Sequence, residues 1–330
     1  MVKKPRQSNI ELLRIVAMLM VLGLHATFES FGYVHAREVQ HLPWRWLGLI
    51  TTASACMGCV DIFVLITGWF GTTFKWKGAL KLVKQTCFIA LTMFGVVALL
   101  GKPLPHHVYD WFRALWSYWF VRSYLLLYLL TPVLNAFVTR STEKQLRQWL
   151  IAFYIAFIPL SFVSDDLARG FSCVAFVGLY LLGRYLRLHL SARIKVSNLW
   201  LWLLWTLTVI FQALAIWSAA RWQSSWLKHL FPVFTAYSNP LTIAASAALL
   251  LAFARIKCQS KVINWLAAGS FAAYLTHQQL FLRSTYFELM RGLDSNIASP
   301  PLFVLSVAGC IAVIYLASAL LDAFRRFIRF

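Results

Sequence analysis

Long apolar runs broken by short polar connections set the pattern of this 330-residue chain. A bilayer core of roughly 30 Å takes about 20 helical residues at 1.5 Å each. Runs of that kind fall near residues 10–30, 47–70, 80–101, 114–139, 149–164, 171–188, 197–217, 233–254, 264–287 and 302–323. The pattern predicts an all-α, polytopic membrane bundle of about ten transmembrane helices. No connection is long enough to bury a core of its own, and there is no internal repeat of the kind that marks many transporters. Residues 1–330 are therefore expected to form a single integral membrane domain. A basic segment before the first run resembles a signal peptide, but Glu11 and Arg14 inside that run, with no small-residue cleavage pattern after it, argue against removal.

The composition agrees with this reading: 60% of residues are hydrophobic and 13% charged. A formal net charge of +20 does not point to nucleic acid, because the basic residues form no block or stripe and recur in short clusters between apolar runs. Alternate connections carry Lys3, Lys4 and Arg6; Lys75, Lys77, Lys81 and Lys84; Arg140, Lys144 and Arg147; Arg187, Arg193 and Lys195; Arg255, Lys257 and Lys261; and Arg325, Arg326 and Arg329. Most acids (Glu29, Glu38, Asp110, Asp165, Asp166, Glu288 and Asp294) fall on the other side. The positive-inside rule then places both termini in the cytoplasm, as an even number of spans requires. Six cysteines are scattered, mostly inside apolar runs where thiols act as small hydrophobes; Cys56 and Cys59 lack the second pair that a zinc site needs.

Ionisable groups inside spans are the candidate chemistry. The first run, NIELLRIVAMLMVLGLHATF, contains Glu11, Arg14 and His25. At about 100° per residue, His25 lies about 20° around the helix from Arg14, and Glu11 falls within about 60° of both. All three share one stripe. Arg14 and His25 are separated by roughly 16 Å along the axis, too far for contact, so a single site including both requires a long ligand. The structural alternative is an i, i+3 pair of Glu11 with Arg14 near the interface, with His25 bonding a neighbouring helix.

Asp61 in VDIFVLITGWFG, Arg122 in SYWFVRSYLLLYLLTPVLN, and His277 in the ninth run fall at compatible depths. They are expected to line a shared cavity. Alternatively Asp61 and Arg122 pair with each other to hold two helices together, and His277 makes a helix–helix hydrogen bond. Histidine suits the removal of a proton from a hydroxyl near neutral pH, and an apolar surrounding favours the neutral ring that a base needs. Arg14, backed by the Lys75 to Lys84 cluster, suits phosphate, which points to a phosphorylated cofactor entering from the cytoplasm.

In its motifs the sequence resembles the acyltransferase-3 family of integral membrane acyltransferases, which includes bacterial enzymes that O-acetylate surface glycans. The resemblance covers nearly the whole chain. It rests on Arg14 and His25, similar to the family's Arg, ten residues, His pattern; on IFVLITGWFG at 62–71; on WFVRSYLLLYLLTPVLN at 119–135; and on FAAYLTHQ at 271–278, which holds Tyr274 and His277. The resemblance implies that His25 is the catalytic histidine and Arg14 its partner. It also implies a cytoplasmic acyl-CoA donor, acetyl-CoA above all, and a location in the bacterial inner membrane. Many members carry an Arg-Arg-x-x-Arg run after the second helix, where this chain has Lys81 and Lys84. Lysine offers a point charge and not a planar fork, so these two are candidate phosphate ligands of a different kind.

The expected function is transfer of an acyl group, acetyl in the first instance, from acyl-CoA to a hydroxyl of a cell-surface or lipid-linked saccharide, without a metal. His25 acts as base, directly or through a relay, with an acyl-histidine as the covalent variant. Trp44, Trp46, Trp111 and Trp116 offer surfaces for sugar rings, or belong to an interfacial belt. The competing readings are a saccharide or lipid transporter or flippase without acyl chemistry, and an acyltransferase acting on a protein or small metabolite. Acceptor, acyl chain and oligomeric state are not specified by the sequence.

Overall fold

A computed structural model describes residues 6–32, 34–104, 107–297 and 299–328; Lys3, Lys4 and Arg329 of the charge argument lie outside them. All regular structure among the described residues is helical. The first span is α1 (Ser8–Leu24) continued by a π turn at His25–Glu29, and the second is α3 (Pro43–Cys56) followed by α4 (Cys59–Phe70), with the short α2 (Ala36–His41) between spans. Next come α5 (Trp76–Leu99), a nine-residue α6 (Val108–Trp116), α7 (Trp119–Arg140), α8 (Glu143–Val163), α9 (Cys173–Tyr185) and α10 (Asn198–Arg221). The chain closes with α11 (Leu227–Phe234), α12 (Pro240–Ala254), α13 (Lys261–Ala268), α14 (Ser270–His277), α15 (Arg283–Asn296) and α16 (Pro300–Phe327).

Among the described residues, eight segments are long and apolar enough to cross a membrane: Ser8–Glu29, Pro43–Phe70, Trp76–Leu99, Trp119–Arg140, Glu143–Val163, Cys173–Leu190, Asn198–Arg221 and Pro300–Phe327. The other two expected spans take a different form. The eighth starts late because Asn239 caps it, its side chain accepting from the Leu241 amide at 2.9 Å, and Pro240 occupies the first turn. The resulting α12 has 15 residues, about 22 Å of helix, and is buried over most of its surface. The ninth is interrupted: α13 and α14 meet at Gly269, and the helix stops again after His277, resuming only at Arg283. Broken helices survive at membrane depth where surrounding protein or a water-filled cavity satisfies the freed backbone groups.

Helix α1, which carries Glu11 and Arg14 and leads into His25, packs against α3, α4, α12, α13 and α14. Helices α4 and α9 approach closely, and glycine permits it. A β-carbon on Gly68 would lie 2.2 Å from the Tyr180 carbonyl oxygen, and one on Gly183 would lie 2.4 Å from that of Leu65. Small residues at such crossings let backbones meet where no hydrophobic drive separates helix from lipid. Tyr180 then reaches past the end of α4 to donate to the Thr72 carbonyl at 2.9 Å.

Candidate active site

A cavity of about 470 Å³ runs beside α1 and is lined by both Arg14 and His25. Because α1 is regular from Ser8 to Leu24, the 100° rule holds as far as His25, and Arg14 and His25 of the stripe read from the sequence face one space, with Glu11 behind Arg14. Basic groups gather at one mouth: Arg6, Arg14, Lys81, Arg325 and Arg326 all contribute to its lining. Further in, the walls are apolar and aromatic, with Met18, Val21, Val60, Phe63, Phe120 and Phe271 among them.

At the basic mouth Arg14 donates to Glu11 at 2.8 Å, the i, i+3 pair weighed as the structural alternative. The same arginine lines the cavity with its side chain about one third exposed, so pairing with Glu11 orients it without removing it from the site. Asp322 of α16 accepts from Gln85 of α5 at 2.8 Å and from Arg325 at 2.9 Å, and it lies 3.0 Å from Arg326. Lys81 reaches this mouth, whereas Lys84, three residues along α5, is not among the described residues that line it.

His25 sits where the α-helix gives way to the π turn, and such turns often mark functional positions. Its Nδ1 is 2.8 Å from Nε2 of His277 and 2.8 Å from the side-chain amide of Gln278. His277 is buried, and its own Nδ1 lies 2.6 Å from the Ala273 carbonyl oxygen one turn back in α14. Tyr274 lines the cavity with its ring centroid 6.1 Å from that of His277, edge to face.

Of the expected site residues, Glu11 and His277 stand behind the cavity wall, bonded to Arg14 and His25, while Asp61, Lys84 and Arg122 do not line it. Asp61 is fully buried in the first turn of α4, and neither carboxylate oxygen has a hydrogen-bond partner among the described residues. Arg122 instead faces a separate groove between α5, α6 and α7, its guanidinium 6.0 Å from the Trp116 ring centre. Among the described residues, then, Asp61 and Arg122 neither share the cavity, as expected, nor form the alternative pair. The reason is angular: Phe120 and Tyr124 of α7 face the cavity, and Arg122, about 200° around from Phe120, must point away from it. Of the tryptophans considered as sugar platforms none lines the cavity, but Trp119 does, stacked on Tyr237 at 6.0 Å and 24°.

Several contributors were not singled out from the sequence. Arg325 and Arg326 read there only as topology charges, and Gln85 and Gln278 not at all. Asp322 was the available signal, an acid inside the last apolar run with arginines at i+3 and i+4.

The described residues thus form an all-helical bundle of membrane-spanning character in which one internal cavity brings Arg14 and His25 together. Residues 7–319 match the family model described as an acyltransferase domain, acyltransferase-3, and the chain belongs to that family. No curated protein and no solved structure matches the chain.

Proposed function

We propose that the protein transfers an acyl group, acetyl in the first instance, from cytoplasmic acyl-CoA to a hydroxyl of a cell-surface or lipid-linked saccharide. The observation that carries this reading is the single cavity with a basic mouth and a histidine at depth. Arg14 and His25 are roughly 16 Å apart along α1, which suits a donor whose charged phosphates sit at one end of a flexible arm and whose thioester sits at the other. Arg6, Arg14, Lys81 and Arg326 meet the phosphates, the arginines by paired hydrogen bonds and the lysine as a point charge. The apolar walls accept the arm.

In the reaction, the acceptor hydroxyl oxygen bonds to the thioester carbonyl carbon while His25 takes the hydroxyl proton. The carbon–sulfur bond then breaks, and the departing thiolate receives that proton from the imidazolium, giving free CoA and the ester. Tyr274, which lines the cavity, carries a hydroxyl of the kind that stabilises the tetrahedral oxyanion. Trp119 and Tyr237 offer the aromatic surface on which a sugar ring stacks.

Incubating the purified protein with labelled acetyl-CoA, with and without candidate glycans, tests this. Glycan-dependent CoA release with label on the glycan is the expected result. Glycan movement across a vesicle membrane without CoA release would instead identify a transporter.

A further inference from the structure

The hydrogen bonds around His277 determine more than its position. A carbonyl oxygen can only accept, so the ring nitrogen 2.6 Å from the Ala273 oxygen, Nδ1 of His277, carries a hydrogen. In the neutral ring the other nitrogen, Nε2, then holds a lone pair. That lone pair is 2.8 Å from Nδ1 of His25, which must donate to it. With the hydrogen of His25 fixed on Nδ1, its lone pair is on Nε2. The Gln278 amide reaches the same Nδ1 at 2.8 Å. Its nitrogen and oxygen ends are told apart only by their hydrogen bonds, and an Nδ1–H there requires the oxygen end as a second acceptor.

The local fold keeps this chain of bonds in place. Ala273 and His277 are one helical turn apart in α14, so the ring bonds back to its own helix. Rings of Tyr274 and Tyr286 stand edge to face against His277, at 6.1 and 5.7 Å, and Tyr286 is itself anchored by donating to the Leu22 carbonyl of α1 at 2.8 Å. The end of α14 at His277 also turns Gln278 toward His25. Among the described residues no protein group bonds Nε2 of His25, and His25 lines the cavity.

We propose that His277 is a positioning residue that holds His25 in the one tautomer able to act as a base through Nε2. This rests on the acyl-transfer reading for its catalytic meaning. When Nε2 takes the acceptor proton, the imidazolium keeps its Nδ1–H bond to the His277 lone pair, which stabilises the new charge; the Nε2 proton then leaves with the thiolate. His277 touches neither substrate.

The tautomer is measured directly by ¹⁵N NMR of histidine-labelled full-length protein in nanodiscs, with the His25 signals assigned from their loss in His25→Ala. The parent should show His25 protonated on Nδ1 and bare on Nε2. His277→Ala should give a mixture of tautomers and lower turnover roughly 10- to 100-fold, with the KM for acetyl-CoA unchanged. His277→Leu, similar in bulk and lacking an acceptor, does the same where the smaller side chain prevents folding. His277→Gln, which returns an acceptor oxygen, should recover part of the turnover. A parent with Nε2–H on His25, or acceptor-free variants with parental tautomer and turnover, would overturn the proposal. Because the tautomer is read without turnover, that failure is distinct from a failure of acyl transfer itself.

Discussion

Asp322 of α16 and Gln85 of α5, 237 residues apart in sequence, meet in a buried hydrogen bond of 2.8 Å that closes one side of the basic mouth. Arg325 shares the same carboxylate oxygen, so one acid holds two helices and one buried cation together.

Removing that acid should cost stability as well as activity. Asp322→Ala leaves the buried Arg325 side chain, about 3% exposed, without its carboxylate partner. Stripping one partner from a buried ion pair costs on the order of 3 kcal/mol or more, because the remaining charge stays desolvated. The midpoint of thermal unfolding in detergent should fall, and the apparent affinity for acetyl-CoA should fall with it. An unchanged midpoint would mean that water already reaches Arg325.

Both termini are expected on the cytoplasmic side. Arg6 near the start of the chain and Arg325 and Arg326 near its end line the same cavity mouth, in keeping with the segregation of Lys and Arg along the sequence. A reporter active only outside the cytoplasm should remain silent when fused after Phe330. Activity of that fusion would place the basic mouth on the wrong side for acyl-CoA.

Arg14→Ala should raise the KM for acetyl-CoA more than the KM for the acceptor, since it removes charge-assisted bonds at the donor end of the cavity. Lys81→Ala should act in the same direction more weakly, as loss of a point charge. Lys84→Ala should change little, because Lys84 is not among the described residues lining the cavity. Equal KM values for acetyl-CoA in Arg14→Ala and parent would confine Arg14 to its bond with Glu11.

Hydropathy and helical phase carry most of what the sequence makes legible. Eight of the expected spans appear as long apolar helices, and Arg14 and His25 face one cavity because α1 stays regular up to His25. The stretch 264–287 is apolar enough to read as a span, yet backbone breaks at Gly269 and after His277 divide it, and hydropathy does not register a break. Depth alone placed Asp61 and Arg122 together, but depth is one coordinate of three: the helical angle turns Arg122 into a different groove. The His25–His277 contact joins residues 252 apart and depends on how α14 ends beside α1, which no periodicity encodes.

His25→Ala should lower turnover roughly 100-fold or more, the scale of a lost general base, and leave a folded, membrane-inserted protein. Folding is expected to survive because the substitution removes two side-chain hydrogen bonds at a helix end, while α1 remains packed through Ile10, Leu13, Ala17 and Leu22, all 1% exposed or less. Since only the neutral ring accepts a proton, parental activity should rise with pH through the titration of His25 and then level off, and the small residual activity of the variant should lack that rise. Circular dichroism and size exclusion establish the fold, and CoA release measures the rate. A well-folded His25→Ala protein with near-parental acyl transfer would remove His25 from the chemistry and leave the cavity as a passage without a base.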